Sequence, residues 1–299
     1  MTDRLRFGVV GTGYWARAVH AAGVAASPDA ELVGVWGRDP AKAAAVAAAH
    51  GVEAFADFDA MLGAVDAVTF SVPPQVQAEL AVPAAAAGKH LLLEKPLAIG
   101  TATADRVVGA VERSGVAAVV FFTHRYVPDR EAWLQRMLTD GGCLGGEAVW
   151  LAALQVPGNP FAGSPWRQAE GALWDVGPHA LAALLPVLGP VRDVVGARGP
   201  GDLMSLVLSH ESGASSTMRL SLTVPPAAGR ISLEFYRADG WHARPETPYD
   251  SADAHRAAVG ELVGLARAGG TEHRCDVRFG RDVVAVLERA QHAVDLDRH

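Results

Sequence analysis

The chain has 299 residues, half of them hydrophobic and a fifth charged, which is typical of a globular protein with one large domain or two of ordinary size. Its formal net charge of −7 argues against nucleic acid or an anionic membrane as a partner, because neither attracts an acidic surface. The two cysteines, Cys143 and Cys275, match no metal or redox spacing, so we expect no metal site and a reducing, cytoplasmic compartment.

The first residues, Met1 to Arg6, run directly into a strand pattern, so we expect no signal peptide. We also expect no membrane span, because the apolar runs 43–49 and 84–87 are short, alanine-rich and typical of helices. The sequence therefore predicts a soluble protein.

The first motif is a glycine-rich turn between a strand and a helix. A buried strand is predicted over Leu5–Val10, the turn Gly11-Thr12-Gly13-Tyr14-Trp15-Ala16 follows at once, and a helix is predicted over 17–26. In this context Gly11 permits the tight turn, Gly13 lets a pyrophosphate approach the backbone, and Ala16 replaces a third glycine. The N–H groups at the helix start then face the phosphates. The pattern predicts a dinucleotide site, with an ordinary strand-to-helix turn as the alternative.

The end of the second predicted strand, 31–36, bears on the choice of nicotinamide cofactor. An acidic residue there binds the ribose 2′-hydroxyl of NAD(H), whereas an arginine accommodates the 2′-phosphate of NADP(H). Here Gly37 is followed by Arg38, which favours NADP(H). NAD(H) stays possible because Asp39 is adjacent, and Arg38 can equally be the flank of the helix predicted over Pro40–His50.

Strands and helices continue to alternate as far as Thr123. Further strands are predicted over 52–55, 67–72, 91–93 and 117–122, and further helices over 58–62, 75–87 and 101–114. This alternation predicts a doubly wound parallel sheet of the α/β class, forming a dinucleotide-binding (Rossmann) domain over residues 1–123.

The stretch Lys89-His90-Leu91-Leu92-Leu93-Glu94-Lys95-Pro96 stands out within this domain. Its leucines fit a short strand buried on both faces, so Glu94 and Lys95 emerge at the carboxyl end, where open α/β sheets bind ligands. Pro96 offers no N–H and restricts Lys95 to extended geometry. The functional interpretation is a lysine fixed at the ligand edge, and the alternative is a solvated charge pair after a strand.

After Thr123 the pattern changes to strands without crossover helices. Strands are predicted over 147–156, 191–198, 203–210, 214–224 and 230–236, with helices over 129–139, 257–268 and 280–294. Such strands pair mainly antiparallel, so residues 124–299 are expected to form an α+β domain with a large, mostly antiparallel open sheet. An open sheet needs a cover, for which a second subunit is one candidate.

Two segments of this half carry polar and aromatic side chains. Residues 158–167 are rich in turn formers and end in Trp166 and Arg167, which indicates either a surface loop or a rim over a substrate. If a helix begins near Gly177, Asp175 lies close to its amino end and His179 lies in its first turn. Asp175 is then a helix cap or a functional carboxylate, and His179 a structural or a functional imidazole.

Taken together, these segments resemble the glucose-fructose oxidoreductase / inositol dehydrogenase / rhizopine-catabolism (Gfo/Idh/MocA) family nearly from end to end. The matching marks are Gly11-Thr12-Gly13, residues 88–97, Arg125-Tyr126, Trp166-Arg167 and residues 171–179. The resemblance implies a Rossmann domain followed by an α/β domain with a large sheet, a tightly bound nicotinamide cofactor, and a sugar or polyol-like substrate. It also implies homo-oligomers, dimers or tetramers, formed through the sheet.

By position, the resemblance implies that Lys95, Asp175 and His179 are the catalytic residues. We assign substrate contacts to Arg125, Tyr126, Trp166 and Arg167. We assign cofactor contacts to Gly11, Thr12, Gly13, Tyr14, Trp15, Gly37, Arg38, Val72, Pro73, Gln77, Glu94 and Lys95.

Three positions depart from the family pattern. Gln77 stands where a histidine is frequent, Ala182 where an acid commonly follows His179, and Gly37 where an acid often ends the second strand.

The predicted function is an NAD(P)-dependent oxidoreductase that moves hydride between nicotinamide and a secondary alcohol or ketone of a sugar, polyol or similar molecule. The alternatives are a non-catalytic nucleotide-bound sensor or scaffold, and an NAD-dependent glycoside-cleaving enzyme of the same family.

Overall fold

The computed structural model describes residues 4–154, 156 and 158–296. Two expectations fall in part outside them: the start of the chain at Met1 to Asp3, and the predicted strand 147–156 at Gln155. The chain divides into two compact units. The first contains the residues up to Tyr126 together with Tyr249–Asp282, and the second contains Val127–Pro248 together with the residues from Val283 on. The predicted division into 1–123 and 124–299 differs from this in two respects: the first unit runs to Tyr126, and residues 249–282 return to it.

Twelve strands lie in the described part of the chain. They are β1 (Leu5–Val10), β2 (Ala30–Trp36), β3 (Glu53–Ala54), β4 (Ala67–Phe70), β5 (His90–Glu94), β6 (Ala118–Phe121), β7 (Gly145–Leu151), β8 (Val191–Arg198), β9 (Met204–His210), β10 (Ser215–Ser221), β11 (Arg230–Arg237) and β12 (Gly240–Ala243).

The described helices number ten, apart from short 3₁₀ turns at Thr123–Tyr126 and Pro226–Ala228. They are α1 (π-helical turns over Ala16–Ala21 followed by Ala22–Ala25), α2 (Pro40–His50), α3 (Phe58–Ala64), α4 (Pro74–Ala86), α5 (Thr101–Ser114), α6 (Pro128–Asp140), α7 (Pro165–Asp175), α8 (Gly177–Leu188), α9 (Ser251–Arg267) and α10 (Val277–Leu296).

The first unit is built on a six-stranded parallel sheet with the strand order β3-β2-β1-β4-β5-β6. The predicted doubly wound α/β sheet is thus confirmed. The leucines of β5, Leu91, Leu92 and Leu93, are fully buried, as expected for a strand covered on both faces. Burying each of them stabilises the fold by about 2 kcal/mol.

The second unit is built on a six-stranded mixed sheet with the order β12-β11-β7-β10-β9-β8. The pair β7–β10 is parallel and the other four neighbouring pairs are antiparallel, so the prediction of a large, mostly antiparallel sheet is confirmed. Along β9, buried and exposed residues alternate, as they do when one face of a sheet is covered.

Gly177 at the start of α8 allows this helix to pack closely against α10, because a Cβ there would lie 2.9 Å from Leu287 of α10.

The stretch Pro165–Leu188 bears on two expectations and corrects the first of them. Residues 165–167 belong to helix α7, where a loop was expected, because Ser164 is extended and Pro165 suits the first helical position. In addition, the 24 residues 165–188 have the length and hydropathy of a membrane span, although the apolar runs suggested none. A share of 78% of the relevant window is buried within the fold, as in the core helices of globular proteins.

Candidate active site

The order of the parallel sheet creates a switch point between β1 and β4, where the direction of winding reverses. In open α/β sheets, ligands bind outside the carboxyl ends of the strands at such a point. Gly11 follows β1 there with φ of +136°, and a Cβ on it would lie 2.2 Å from the carbonyl oxygen of Ser71, which follows β4. Only glycine fits this close approach of two backbones.

Gly13 fits the second requirement of a dinucleotide loop. A Cβ at this position would meet no atom within 4 Å, and the residue is exposed, so the backbone is open to an approaching phosphate. The helix that leads into α1 begins immediately afterwards, with the N–H of Arg17 bonded to the carbonyl of Gly13 at 3.2 Å. Tyr14 is half exposed and Trp15 is partly buried. The residues at the switch point therefore fit a nicotinamide dinucleotide.

At the end of β2, Gly37 packs against Thr12 of the glycine-rich loop. A Cβ on Gly37 would lie 2.4 Å from the methyl group of Thr12, so an acid at position 37 would force that side chain to move. Asp39 caps α2, since its Oδ1 accepts from the N–H groups of Ala41 and Lys42 at 3.1 and 3.2 Å. The backbone N–H of Lys42, together with the Lys42 ammonium, lowers the pKa of Asp39.

Arg38 is exposed between these two residues. Within the described part of the chain, its guanidinium makes no hydrogen bond or ion pair, so it is open to a ligand.

Gln77 of α4 fixes the loop that follows β5. Its Nε2 donates to the carbonyl of Glu94 at 2.8 Å and to that of Leu97 at 3.2 Å, and its Oε1 accepts from the N–H of Glu94 at 2.7 Å. The side chain is fully buried. The amide that replaces the family's frequent histidine thus holds both ends of the segment that carries Lys95. Val72 and Pro73, between β4 and α4, are partly buried.

Glu94 joins the two loops at the carboxyl edge. Its Oε1 accepts from the indole Nε1 of Trp15 at 2.7 Å, and its Oε2 accepts from the backbone N–H of Lys95 at 3.1 Å. Lys95 is partly buried and precedes Pro96 through a cis peptide bond. Among the predicted site residues, the structure thus brings together Trp15, Glu94, Lys95 and Gln77.

In the second unit, Asp175 and Arg167 form an ion pair at 2.9 Å, in which Asp175 is 5% exposed and Arg167 is 22% exposed. The guanidinium also lies 4.7 Å from the ring centre of Phe161 and 4.8 Å from that of Trp166, at cation–π distance. Asp175 ends α7, and α8 has no side-chain cap. The interpretation of Asp175 as a helix cap is therefore wrong.

His179 lies in the first turn of α8, as predicted, and its ring stacks on Trp150 of β7 with centres 5.3 Å apart and planes 16° apart. Stacking on a large aromatic plane fixes the orientation of the imidazole. No feature of the sequence paired Trp150 with His179, because the two lie 29 positions apart on different elements.

Arg125 and Tyr126, the other predicted substrate contacts, are both buried in the first unit. The Tyr126 hydroxyl donates to the carbonyl of Val120 at 3.2 Å, and burial raises the pKa of this phenol well above 10. The guanidinium of Arg274 donates to the carbonyl of Arg125 at 3.0 Å and lies over the Tyr126 ring. These contacts tie residues 249–282 to the end of the Rossmann chain.

Sequence reasoning missed three buried polar residues that a series of hydrogen bonds links to Glu94. His20 Nε2 lies 3.0 Å from Glu94 Oε1, and Thr69 links His20 to His255. His20 and Thr69 lie in an apolar helix and an apolar strand, where single polar residues give little signal. His255 lies 186 positions after Thr69, so no local pattern relates the two residues.

The fold and the edge residues define a nicotinamide-dependent oxidoreductase of the Rossmann type. A family model described as an oxidoreductase family with an NAD-binding Rossmann fold matches residues 5–122. The chain belongs to this Gfo/Idh/MocA family of oxidoreductases.

Several named proteins are similar along nearly their whole length. The dTDP-3,4-didehydro-2,6-dideoxy-alpha-D-glucose 3-reductase of Streptomyces violaceoruber is 30% identical, over 96% of this chain and 93% of that protein. The NADP(+)-named D-xylose 1-dehydrogenase 2 of Haloferax volcanii is 27% identical, over 98% and 100%. The solved UDP-N-acetylglucosamine 3-dehydrogenase of Acidithiobacillus ferrooxidans shares the fold, with a TM-score of 0.83, 23% identity and 99% of each chain covered.

Proposed function

We propose that this chain transfers hydride between NADP(H) and a secondary alcohol or ketone carbon of a sugar or polyol-like substrate. The observation that carries the proposal is the placement of Lys95. It follows strand β5 at the carboxyl edge of a 3-2-1-4-5-6 sheet, in a loop held by Gln77 and Glu94. The bound nicotinamide supplies or accepts the hydride.

Lys95 has the charge that the reaction needs. When a carbonyl is reduced, negative charge grows on its oxygen, and an ammonium directed at that oxygen stabilises the transition state more than the ground state. The same ammonium can donate the proton that the new alkoxide requires, and in the reverse direction the neutral amine accepts it. A fixed backbone matters here because misplacement by about 1 Å can cost a factor of 100 in rate.

Asp175 and His179 are the further catalytic residues that the family resemblance implies, and both lie in the second unit. The imidazole of His179 can donate and accept a proton, and its stacking on Trp150 fixes the plane of the ring. Arg167 holds the carboxylate of Asp175 by a charge-assisted bond, and the proposed role of this oriented carboxylate is to bind a substrate hydroxyl.

Two observations support NADP(H) over NAD(H). Arg38 is exposed at the end of β2, and Asp39, the alternative partner of the ribose, is already engaged as the cap of α2. A guanidinium binds a phosphate in a bidentate, charge-assisted manner. The NADP(+)-named xylose dehydrogenase among the relatives points the same way.

The relatives support a sugar as the substrate, because they are named as reductases and dehydrogenases of sugars and nucleotide sugars.

We also propose that the protein is a homo-oligomer that uses the outer face of the second sheet. Val195, Val207 and Trp241 are 57%, 43% and 59% exposed on this face, and Val195 and Val207 are directly paired across β8 and β9. A cytoplasmic location stays a prediction.

The decisive experiment compares two lysines at opposite ends of β5. NADPH oxidation and NADP(+) reduction are followed by absorbance with inositols, pentoses, hexoses, and dTDP- and UDP-linked sugars and 3-ketosugars. Lys95→Met should keep NADPH binding and lose turnover by a factor of about 100 or more. Lys89→Met, at the amino end of the strand, should retain turnover. Near wild-type turnover in Lys95→Met, or bound NADPH that none of these substrates oxidises, would contradict the proposal.

A further inference from the structure

Four polar side chains from four elements form a continuous chain inside the first unit. Glu94 of β5 bonds to His20 of α1 at 3.0 Å, His20 bonds to Thr69 of β4 at 2.8 Å, and Thr69 bonds to His255 of α9 at 3.1 Å. The side chains of His20, Thr69 and His255 are completely buried. We call these four residues the Glu94 chain.

The hydrogen atoms of the Glu94 chain have one consistent arrangement with neutral imidazoles. A carboxylate only accepts, so His20 donates through Nε2 and its Nδ1 accepts from the Thr69 hydroxyl. The Thr69 oxygen then accepts from Nε2–H of His255. Burial lowers the pKa of His255 well below 6.5, which keeps this imidazole neutral.

Such a chain is costly, because each buried polar group gives up its hydration and regains it only through well-formed hydrogen bonds. Local backbone features make room for it. His20 lies within the π-helical turns Ala16–Ala21, a geometry frequent at functional sites. Gly23 lets α1 approach α9, since a Cβ there would lie 2.6 Å from Nδ1 of His255. Apolar side chains at these positions would pack without this cost.

The Glu94 chain ends at the two loops of the candidate active site. The carboxylate that His20 holds also accepts from the indole of Trp15, beside the dinucleotide loop, and from the backbone N–H of Lys95. A rotation of this carboxylate would break both contacts together. The orientation of the partly buried Glu94 carboxylate therefore sets one contact beside the dinucleotide loop and one contact to the Lys95 backbone at the same time.

We propose that the Glu94 chain is a positioning device that couples the dinucleotide loop to Lys95. His20, Thr69 and His255 hold the Glu94 carboxylate in the orientation in which one oxygen fixes Trp15 and the other fixes the Lys95 backbone. The inference rests on the proposed role of Lys95. It assigns a positioning role to His255, which comes from the segment that returns to the first unit.

Thr69 is the point at which to test the coupling, because its hydroxyl joins both imidazoles. Thr69→Val removes the hydroxyl and keeps the shape, so we expect kcat to fall by about 10- to 100-fold. We expect the Kd of NADPH, measured by calorimetry without a sugar, to rise by roughly ten-fold, the equivalent of one charge-assisted hydrogen bond. Thr69→Ser, which keeps a hydroxyl, should restore most of both.

Ser216→Ala is the matched control. Ser216 Oγ bonds to the buried His210 at 2.8 Å in the second sheet, so the substitution also removes a buried hydroxyl–imidazole bond but does not touch Glu94. It should lower thermal stability and leave kcat and the NADPH Kd unchanged. If Thr69→Val does not fold, His255→Gln, which keeps an N–H donor, is compared with His255→Phe, which does not.

The outcomes separate this inference from the proposed function. If Thr69→Val keeps kcat and the NADPH Kd within about two-fold of wild type, or if Ser216→Ala shows the same losses, the coupling is overturned. A wild-type protein that binds NADPH and turns over no substrate contradicts the proposed function instead. In that case the coupling is tested by NADPH binding alone, through the Kd values of Thr69→Val and Thr69→Ser.

Discussion

The guanidinium of Arg167 donates through Nε to Oδ2 of Asp175 at 2.9 Å, eight positions along the same helical stretch. The helix between them is interrupted at Gly171, whose φ of 69° and ψ of −164° lie outside helical geometry. This interruption changes the direction of the chain between the two residues. A candidate catalytic carboxylate is therefore held by a residue that sequence reasoning had assigned to the substrate.

Replacing Arg167 should affect both stability and turnover. In Arg167→Met the nearly buried Asp175 loses its charge-assisted hydrogen bond, which costs about 2 kcal/mol of unfolding free energy. Turnover should fall more than substrate affinity, because the carboxylate loses its fixed orientation. Urea unfolding and steady-state kinetics measure the two effects. As a control, Arg192→Met removes an exposed arginine of β8 and should change neither quantity. Unchanged kcat in Arg167→Met would show that the pair serves stability alone.

Cofactor preference provides the second prediction. Arg38→Ala removes the exposed guanidinium at the end of β2, so NADPH should bind about ten- to a hundred-fold more weakly while NADH changes little. Titration of both cofactors, with the exposed Arg106→Ala on α5 as a control, measures the ratio. An equal loss for NADPH and NADH would overturn the assignment of Arg38 to a 2′-phosphate.

Most of the first sheet was predictable from the sequence because its signals are local. Apolar runs such as Leu91 to Leu93 define buried strands, and Pro40 with Gly51 marks the start and end of α2. The bounds of α2 and α5 agree with the prediction. The return of α9 to the first unit was not predictable, because its close contact through Gly23 depends on tertiary packing between residues more than 200 positions apart.

The candidate site was predictable only where a motif carries it. The roles of Gly11, Gly13 and Lys95 could be assigned from their positions at the ends of predicted strands. The residues that hold them in place could not be identified in this way. Glu94 was assigned to the cofactor, and the structure shows it bonded to Trp15, 79 positions away. Gln77, a departure from the family pattern, bonds to four backbone groups of the Lys95 loop, which no spacing rule indicates.

Self-association through the second sheet provides the third prediction. Val207→Glu places a charge on the exposed face of β9, next to its paired Val195, and should shift the protein toward monomers in light scattering after gel filtration. Leu138→Glu on α6 is the control, since Leu138 is similarly exposed, at 46% against 43%, but lies on a helix. A wild-type protein that is already monomeric would contradict the proposed oligomer.

The pH dependence of stability provides the last prediction. Burial lowers the pKa of His255 well below 6.5, so the unfolded chain binds a proton that the folded chain excludes. The unfolding free energy is therefore complete above pH 6.5 and falls as the pH drops below it, by up to about 1.4 kcal/mol per pH unit for one such group. Burial also lowers the pKa values of His90 and His210, which add to the same slope.

His255→Gln removes the most buried of these three groups and keeps an N–H donor toward Thr69. The slope of the unfolding free energy between pH 7 and pH 5, obtained from urea titrations, should therefore be shallower than in wild type. Identical slopes for wild type and His255→Gln would show that His255 takes up a proton in the folded protein, and the arrangement of hydrogens assigned to the Glu94 chain would then be wrong.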